Sequence, residues 1–599
     1  MKTSCFEILG VLNLPGAVMG SQSATLGLRL RVQAPPLDTL VRVRRELAAL
    51  WPRWLEAEQG SEGPPGDAAW QAACLLGELI IALQLESNLA LGRQVRVRPV
   101  RAVPGLKPQS FELFLASRAA PADRVALRWA AEALTALFQG GTVARLAATA
   151  SAVRRELKTF EEEGVNNFFI LQAAYALGIP VFRTLPGMLV LGTGARSRWL
   201  QSLVSDVTPK LATQVAQHKV LTASLLHAAG LPGSVHQLVR NRDEALKAAS
   251  ELGYPVVVKP ADSDRGAGVA ADLREPEEVA SAFAAALEVS PNVLVERWVP
   301  GNTHRLTVQD GNVVRVVRRT AGGVVGDGVH AVGRLVELFQ QTPKQQRMAH
   351  RLGHPLLTLD EEALALLRQQ GLSPQSCPAA GQYVRLRRRD NVNTGGTNEE
   401  LNPDDPAAVH PDNRRLAIEA ARLLRLDFAG IDLITTDIGR SWLDCEALIC
   451  EVNARPQMGA AHDPGLYQRM LGRLFPAGYR VPAELLVVPA DPGLQQRIGE
   501  RLLAMKPAAS VSLAGGLWIE GRRATRSWAD SFQAARGLLQ RREVSHAVCL
   551  MTPGDILRFG LPISTWDRVT VNEKLAFTPA EREQLHKVRD WLEAAVVKA

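Results

Sequence analysis

Two carboxylates and an amide occur in two strand-like segments in the second half of the chain. Asp432 lies within the run GIDLITTD, and Glu451 and Asn453 lie within LICEVNARPQMG. Residues two apart on a strand project from the same face, so Glu451 and Asn453 would point together, with Asp432 across from them on a paired strand. Magnesium accepts such oxygen ligands alongside water and nucleotide phosphates. A solvated strand face would explain Glu451 alone, but not the Glu-x-Asn spacing, so the pattern predicts a magnesium site.

A lysine precedes a glycine-containing loop in the segment VVVKPADSDRGAGV, Val256–Val269. A short apolar strand ends near Lys259, and Gly266 and Gly268 follow it. Glycines let backbone N–H groups approach phosphate oxygens without a Cβ in the way, and the lysine adds a positive charge. The segment therefore indicates a phosphate-binding loop. The alternative is a lysine that ends a strand beside an ordinary glycine turn.

The segment NVLVERWVPGNTHRLTV, Asn292–Val308, combines an apolar strand with a Pro-Gly turn. Glu296 lies at the end of that strand, and the backbone that follows would read the adenine edge of a nucleotide as a hinge. Arg305 lies on the next strand, where its charge would face a reacting phosphate. The alternative is a β-turn with a surface arginine.

The lysine, the glycine loop, the Pro-Gly hinge and the Asp…Glu-x-Asn set follow one another between Lys259 and Asn453. This order resembles that of the ATP-grasp ligases. The resemblance implies a reaction in which ATP phosphorylates a carboxylate to an acyl phosphate, which an amine then attacks. It also implies ATP and Mg²⁺ as cofactors.

The resemblance assigns three groups of residues. The implied ATP-binding residues are Lys219, Lys259, Gly266, Gly268 and Glu296. The implied Mg²⁺ ligands are Asp432, Glu451 and Asn453. The implied catalytic residue is Arg305, which would stabilise charge on the transferring phosphoryl group and on the tetrahedral intermediate.

Longer segments resemble cyanophycin synthetase, the family that builds a poly-aspartate backbone with arginine on each side chain. The similarity spans residues 165–478 and includes Gly-Asp-Gly-Val-His at 326–330 and Asn-Thr-Gly-Gly-Thr at 393–397, which are not general ATP-grasp features. The second motif, next to Arg387–Arg389, would suit the terminal carboxylate of a growing chain, and the alternative is a tight glycine turn. The predicted substrate-binding residues are therefore Asn393, Thr394, Gly395, Gly396 and Thr397.

A full cyanophycin synthetase has a second active site in a C-terminal Mur-type ligase domain with a GTNGKT-type phosphate loop. The corresponding region here, 505–528, reads MKPAASVSLAGGLWIEGRRATRSW and contains no such loop, whereas 545–573 resembles a reduced Mur-type central domain. The chain is thus similar to the short second form of the family. That form implies polymerisation of ready-made β-aspartyl-arginine dipeptides. Arg265, Asn393 and the pair Thr303–His304 depart from the family pattern and leave the detailed ATP and substrate contacts open.

Composition shifts predict three domains and a multidomain α/β and α+β fold. They are an N-terminal α/β domain at 1–162, an ATP-grasp domain at 163–482 and a truncated Mur-ligase-like α/β domain without a phosphate loop at 483–599. Within the second, one long helix is predicted over TPKLATQVAQHKVLTASLLHAAG, 208–230, where a glycine stops it. A chain of 599 residues is too long for one hydrophobic core.

Composition also restricts the partners. The net charge of +8 is spread along the chain and aromatic residues are only 5%, which favours an anionic substrate such as ATP or a carboxylate polymer over nucleic acid. No run approaches the ~18 apolar residues of a membrane span, and Glu7 and Pro15 make the N-terminus a strand and turn rather than a signal peptide. Six cysteines without metal-like spacing fit a reducing, cytoplasmic location.

The predicted partners are the β-aspartyl-arginine dipeptide and the cyanophycin chain, in a homo-oligomer without nucleic acid or membrane. Two alternatives stay open. One is an ATP-grasp ligase that joins small amino acids or dipeptides in a single step. The other is a non-catalytic paralogue that partners a full synthetase.

Overall fold

A computed structural model describes most of the chain as two compact units. The described residues are 4–52, 55, 67–100, 110–262, 268–388, 390, 392–458, 463, 465–525, 527–572 and 574–597. The first unit combines Met1–Ser202 with Gln457–Ala599, and the second is Leu203–Pro456. These limits differ from the predicted boundaries at 162 and 482, and the three-domain division stays a prediction.

The N-terminal part of the first unit contains a four-stranded antiparallel sheet, of strand order β1-β2-β4-β3, and five helices. The N-terminal strand and the mixture of strands and helices that the sequence predicts here are present. The elements are β1 (Phe6–Leu14), β2 (Thr25–Val32), α1 (Leu37–Leu50), α2 (Ala68–Glu86), β3 (Val95–Pro99), β4 (Ser110–Ala116), α3 (Ala120–Phe138), α4 (Val143–Leu157), α5 (Val165–Ala176), β5 (Val181–Leu185), β6 (Met188–Leu191) and β7 (Arg198–Gln201).

Helix α2 is long and apolar enough to cross a membrane, but most of its residues are buried inside the first unit. Asp67 caps it, because one carboxylate oxygen accepts the N–H groups of Ala69 and Trp70 at 3.0 Å each. Gly77 lets the helix approach the sheet closely, since a Cβ there would lie 2.7 Å from Val95 Cγ1. The burial of α2 is that of a core helix.

The second unit contains a four-stranded sheet, β11-β10-β12-β9, a five-stranded sheet, β17-β14-β13-β18-β19, and a two-stranded ribbon, β15-β16. The mixture of helices and antiparallel strands confirms the predicted α+β character. Its elements are β8 (Val204–Ser205), α6 (Lys210–Gln217), α7 (Lys219–Ala228), β9 (His236–Val239), α8 (Arg242–Leu252), β10 (Val256–Pro260), β11 (Ala270–Leu273), α9 (Pro276–Leu287), β12 (Val293–Arg297), β13 (Asn302–Gln309), β14 (Asn312–Thr320), β15 (Gly323–Val325), α10 (Val332–Gln341), α11 (Pro343–Leu352), α12 (Glu361–Gln369), β16 (Tyr383–Arg385), β17 (Thr397–Leu401), α13 (Pro411–Leu423), β18 (Phe428–Thr435) and β19 (Ala447–Asn453).

The single long helix predicted over 208–230 is wrong. The segment forms two helices, α6 and α7, because His218 between them has an extended backbone with φ −102° and ψ 97°. The His218 ring nitrogen caps α7 by accepting the N–H of Leu221 at 3.4 Å. The break matters because it makes Lys219 the first residue of α7.

The five-stranded sheet has one apolar and one polar face. Leu306, Val316, Ile431 and Val452, from four neighbouring strands, are buried in the core of the second unit. Successive strand residues alternate between faces, so the residues between them point to the other side. That opposite side, which we call the polar face, carries arginines, carboxylates and an amide on β13, β14, β17, β18 and β19.

The C-terminal part of the first unit is an α/β layer around a six-stranded sheet, β23-β22-β21-β24-β20-β25, in which β21, β24, β20 and β25 are parallel. It joins the N-terminal part of the same unit, since Gly16 N–H donates to the Phe559 carbonyl at 2.8 Å. Its elements are α14 (Leu466–Leu474), β20 (Ala483–Val487), α15 (Pro492–Met505), β21 (Ser510–Leu513), β22 (Gly516–Ile519), β23 (Arg522–Arg523), α16 (Ser531–Leu539), β24 (Ala547–Met551), α17 (Pro553–Phe559), β25 (Arg568–Val571) and α18 (Pro579–Ala594).

Candidate nucleotide and metal site

Three of the predicted site residues form one row across the polar face. Arg305 on β13 pairs in register with Asp432 on β18, and Asp432 pairs with Glu451 on β19. Asn453 lies two residues further along β19, opposite Gly430. Directly opposed side chains in an antiparallel sheet have Cβ atoms about 5 Å apart. The structure therefore brings Arg305, Asp432, Glu451 and Asn453 together, as the sequence predicts.

Arg305 and Asp432 form a buried ion pair through two hydrogen bonds. Arg305 Nη2 donates to Asp432 Oδ2 at 2.6 Å, and Nε donates to Oδ1. The side chains are only 10% and 5% exposed. Burial by itself lowers the pKa of Arg305, but the adjacent Asp432 carboxylate outweighs it, so the pKa lies above its ordinary value. Arg305 is therefore charged.

The sequence analysis missed a second arginine beside Asp432. Arg319 on β14 places Nη1 3.7 Å from Asp432 Oδ2, and its side chain is more exposed than that of Arg305. The signal was present, because Arg315 and Arg319 lie four apart on a strand and so share a face. Arg315 pairs instead with Glu400 at 2.5 Å. The polar face thus presents arginines from two adjacent strands.

Glu451 and Asn453 leave oxygen atoms for a cation. The half-buried Glu451 side chain makes no hydrogen bond or ion pair to any other residue that the structure describes, and Asn453 Nδ2 donates weakly to the Gly430 carbonyl at 3.5 Å. No cluster of three or more His, Cys, Asp or Glu side chains suited to a metal occurs in the described part of the chain. Two carboxylates and one amide are oxygen donors of the kind that magnesium accepts, and a magnesium site at Asp432, Glu451 and Asn453 stays a prediction.

Lys259 and Glu296 form a second buried ion pair, on the four-stranded sheet. Lys259 Nζ lies 2.5 Å from Glu296 Oε1, and the side chains are 10% and 5% exposed. They meet because β10 and β12 are antiparallel neighbours, in which Lys259 opposes Leu294 and Glu296 lies two residues further on the same face. Burial lowers the pKa of Lys259, but Glu296 outweighs it and the pKa is raised. The lysine is therefore a fixed positive charge.

Lys219 shares a cleft with both sheets of the second unit. Its Nζ lies 3.5 Å from the Pro260 carbonyl, which it reaches from the first turn of α7. A narrow cleft is bounded by Lys219, Glu296 and Glu451 together with apolar residues of α7 and β19. Cys450 also lines it, and burial raises the pKa of its thiol well above the ordinary value, so the thiol is neutral. The cleft brings predicted nucleotide and metal residues into one place.

The glycines of the predicted phosphate loop are only partly placed. Gly266 and the neighbouring Arg265 lie outside the described residues. Gly268 has φ +69°, and a Cβ there would lie 2.9 Å from Pro260 Cγ. A positive φ and this close approach explain why the position is glycine, two residues before β11 begins. A role of either glycine in phosphate binding stays a prediction.

The predicted substrate loop, Asn393–Thr397, leads into β17, whose first residue Thr397 pairs with Thr320 on β14. Gly395 has φ +84°, and a Cβ there would lie 2.5 Å from Leu357 Cγ, so packing requires a glycine. Gly395 and Gly396 are buried, whereas Asn393 is exposed and Thr394 is half-buried. The loop lies beside the polar face, because Asn398 pairs with Arg319. Carboxylate binding by these five residues stays a prediction.

Two of the arginines predicted to flank that loop are engaged elsewhere. Arg387 is buried and its Nη2 donates to Asp360 Oδ2 at 2.9 Å. Arg388 Nη1 donates to the backbone carbonyls of Ala271 and Asp272. These contacts occupy the guanidinium groups, so Arg387 and Arg388 hold the fold rather than a ligand. Arg389 lies outside the described residues.

Comparison with known proteins agrees with this geometry. Residues 219–322 match the family described as carbamoyl-phosphate synthase L chain, ATP binding domain, and residues 381–465 match the RimK-like ATP-grasp domain. A cyanophycin synthetase from Nostoc sp. is 32% identical over 407 residues, which are 65% of this chain and 44% of that protein. The glutathione biosynthesis bifunctional protein GshAB from Streptococcus agalactiae is 30% identical over 273 residues, 43% of this chain and 35% of that protein.

Among solved structures, a bifunctional glutathione synthetase from Pasteurella multocida is similar over 76% of this chain and 82% of that protein's chain. The identity is 17% and the TM-score is 0.37. The chain spans about half the length of the curated cyanophycin synthetases that it matches. The two family matches lie on the same sheets as the ion pairs and the acidic row. The chain is therefore a multidomain protein with an ATP-grasp domain of the carboxylate–amine ligase class, and it is related to the cyanophycin synthetases.

Proposed function

We propose that this protein polymerises β-aspartyl-arginine dipeptides into cyanophycin, using ATP to activate the terminal carboxylate of the chain. The observation that carries the ligase chemistry is the row of Arg305, Asp432 and Glu451 on the polar face. The relationship to cyanophycin synthetases supports the choice of substrate. We place the reaction in the cytoplasm, which agrees with six free cysteines.

The reaction has two balanced steps. In the first, a carboxylate oxygen of the chain terminus attacks the γ-phosphorus of ATP, the β–γ phosphoanhydride bond breaks, and ADP leaves with an acyl phosphate remaining. In the second, the amine of the incoming dipeptide attacks the acyl carbon, the carbon–oxygen bond to phosphate breaks, and phosphate and a proton leave. Both steps develop negative charge on oxygen, so fixed positive charges are the main requirement.

The chain supplies these charges from several elements. Lys219 and Lys259 would hold the phosphates of ATP, because Lys219 lines the cleft and Lys259 pairs with Glu296, which also lines it. Arg305 and Arg319 would neutralise the transferring phosphoryl group and the oxygen of the tetrahedral intermediate. Arg305 is fixed by two hydrogen bonds to Asp432, so its charge needs no reorganisation during the reaction.

Asp432, Glu451 and Asn453 would hold Mg²⁺. When bound, magnesium would neutralise negative charge on the nucleotide. Asp432 would stay paired with Arg305, because each carboxylate oxygen keeps a second lone pair for the cation. The two roles assigned to Arg305 and Asp432 are therefore linked.

The C-terminal sheet supports a single ligase site. A phosphate loop needs free N–H groups at a helix N-terminus after a parallel strand. At α15, which follows β20, the carboxylate of Asp491 accepts the N–H groups of Gly493 at 2.8 Å and Leu494 at 3.1 Å. Glu581 accepts the adjacent Ala490 N–H at 2.7 Å. Two carboxylates at this terminus repel phosphate, which favours a ready-made dipeptide over free aspartate and arginine.

The test is ADP release and polymer formation by the full-length protein. With ATP, Mg²⁺, a cyanophycin primer and β-aspartyl-arginine, we expect ADP, phosphate and insoluble polymer, with equal amounts of ADP, phosphate and incorporated dipeptide. With free aspartate and arginine in place of the dipeptide, we expect no polymer growth. Asp432→Ala should abolish the reaction. The matched control is Asp444→Ala, an exposed carboxylate between β18 and β19, which should keep it. ADP release only with other amino acids would reject the proposal.

A second candidate is a ligase that joins one pair of small substrates. The similarity to GshAB over 273 residues favours it. Mass spectrometry of the products separates the two, because single ligation gives one product mass and chain growth gives a ladder. A non-catalytic paralogue would show no magnesium-dependent ATP binding by calorimetry. A homo-oligomeric state remains part of the proposal.

A further inference from the structure

Arg388 joins two parts of the second unit that the proposed reaction uses in succession. Its Nη1 donates to the Ala271 carbonyl at 2.5 Å and to the Asp272 carbonyl at 2.8 Å. Its Nη2 lies 3.3 Å from Glu278 Oε1 on α9. The side chain is 12% exposed. One guanidinium group thus holds both β11 and the helix that follows it.

The other side of the contact is equally fixed. The Arg388 backbone N–H donates to Glu362 Oε1 on α12 at 2.8 Å, and its carbonyl accepts Arg385 Nη2 at 2.6 Å. The adjacent Arg387 is anchored to Asp360 at the start of the same helix. A displacement of β11 that pulls on the Arg388 side chain would therefore also pull on the backbone segment that contains Arg388.

The two parts are the nucleotide side and the substrate side. Strand β11 pairs with β10, which carries Lys259, so movement of β11 and movement of Lys259 are linked through the sheet. Residue 388 precedes the Asn393–Thr397 loop by only five positions, and that loop enters β17 on the polar face. Arg388 contacts β11 through its side chain and precedes the loop in the same chain segment, so a displacement of β11 would be passed to the loop through that segment.

We propose that Arg388 is a positioning residue that couples nucleotide binding at β10 and β11 to the placement of the Asn393–Thr397 loop. The naming of the two sides rests on the proposed function. Arg388 itself touches neither ATP nor peptide. If nucleotide binding moves the four-stranded sheet, Arg388 would move with β11. The Asn393–Thr397 loop would then take the position in which it binds the terminal carboxylate of the peptide chain.

Lysine would not replace this arginine. The planar guanidinium donates to two carbonyls and faces a carboxylate at the same time, whereas an ammonium is a point charge without that fork. Arg388→Lys keeps the positive charge and the long apolar stem, so it tests geometry rather than charge. Arg388→Ala removes both. Arg334→Ala is the matched control, because this arginine is exposed on α10 and, among the described residues, forms its ion pair with the exposed Glu337 one turn further along the same helix.

The experiment is hydrogen–deuterium exchange of the full-length protein with and without Mg²⁺ and a non-hydrolysable ATP analogue. In the wild type and in Arg334→Ala, we expect the nucleotide to slow hydrogen exchange in peptides covering β10 and in peptides covering 393–401. At 393–401 the exchange rate should fall by about fivefold, which is a typical coupling factor. In Arg388→Lys and Arg388→Ala, β10 should keep its protection, whereas the change at 393–401 should fall below about twofold.

Two results would overturn the inference. One is transmission to 393–401 that is unchanged in both variants. The other is loss of protection at β10 as well, even in Arg388→Lys, which would make Arg388 a general structural residue. The assay uses nucleotide alone, so a protein that transmits protection but does not polymerise the dipeptide would reject the proposed function and leave this inference standing. If the protein polymerises the dipeptide but nucleotide still protects 393–401 in both Arg388 variants, the coupling role of Arg388 is rejected and the proposed function stands.

Discussion

Glu296→Gln should destabilise the four-stranded sheet of the second unit by leaving the Lys259 ammonium buried without its partner charge. At the observed 2.5 Å, and with an effective dielectric constant of about 20, two unit charges attract by roughly 7 kcal/mol. Much of that attraction offsets the cost of removing both ions from water. Breaking one partner of a buried pair typically costs about 3–5 kcal/mol. We expect about 3 kcal/mol, since glutamine keeps one hydrogen-bond acceptor.

The matched control is Glu446→Gln, which removes a carboxylate whose arginine partner, Arg297, follows Glu296 on β12. Glu446 and Arg297 are 57% and 60% exposed at 3.3 Å, so solvent screens the pair and its loss should cost under about 1 kcal/mol. The chain has several domains and will not unfold in one step, so local stability is the quantity to measure. Hydrogen exchange of peptides covering β10 and β12 reports it directly.

The pH dependence gives this prediction a definite sign. In the wild type the pKa of Lys259 is raised, so its contribution is complete below the unfolded-state value of about 10.4 and is lost only at higher pH. In Glu296→Gln, burial dominates and lowers the pKa of Lys259, so the unfolded state binds more protons than the folded state. Stability of the variant should then rise with pH, and the difference from wild type should narrow as the pH approaches the unfolded-state pKa of lysine, about 10.4.

A nucleotide should compensate for the lost carboxylate. Phosphate oxygens next to Lys259 would supply the missing negative charge, so saturating Mg²⁺ and ATP analogue should protect β10 more in Glu296→Gln than in the wild type. Two results would show that Lys259 is not a buried charge that pairs with nucleotide phosphate. One is that Glu296→Gln is no more destabilising than Glu446→Gln. The other is that nucleotide protects β10 equally in Glu296→Gln and in the wild type.

Three further predictions concern other sites. Arg305→Lys should lower kcat for ADP release by about 100-fold with KM for ATP nearly unchanged, because an ammonium cannot keep the two-point pairing with Asp432. An unchanged kcat would contradict the catalytic role of Arg305. Asp491→Ala should destabilise α15 by about 1 kcal/mol in urea unfolding without changing ADP release, and a fall in release would place ATP chemistry in the C-terminal sheet. Burial raises the pKa of Asp123 to about 6, so stability of the first unit should fall by up to ~3 kcal/mol as pH rises from 4 to 7, and Asp123→Asn should flatten that dependence in thermal melts.

Local sequence patterns determined which residues share a face. The Glu-x-Asn spacing placed Glu451 and Asn453 on one side of β19, because side chains on a strand alternate with a period of two. Apolar runs bounded by Gly and Pro located β10, β12 and β18 within a few residues. The order of motifs along the chain was enough to indicate an ATP-grasp domain, and the family matches at 219–322 and 381–465 agree.

Tertiary structure decided which of these residues meet. Arg305 and Asp432 are 127 positions apart in the sequence and face each other only because β13 and β18 pair in one register; a shift by one residue would turn them to opposite faces. The break at His218 was likewise not visible in the sequence, since helix propensity alone favours a continuous helix through Lys219, whereas His218 is extended and caps α7.

The arginine run at 387–389 shows the same limit. Composition placed these charges beside a substrate loop, but the partners of Arg387 and Arg388 lie on α12, β11 and α9, far away in sequence. Periodicity determines the direction of a side chain, whereas its partner depends on register and on contacts between distant segments. The sequence by itself therefore determined the chemistry available to this protein, and the tertiary structure decided which charges are left for a ligand.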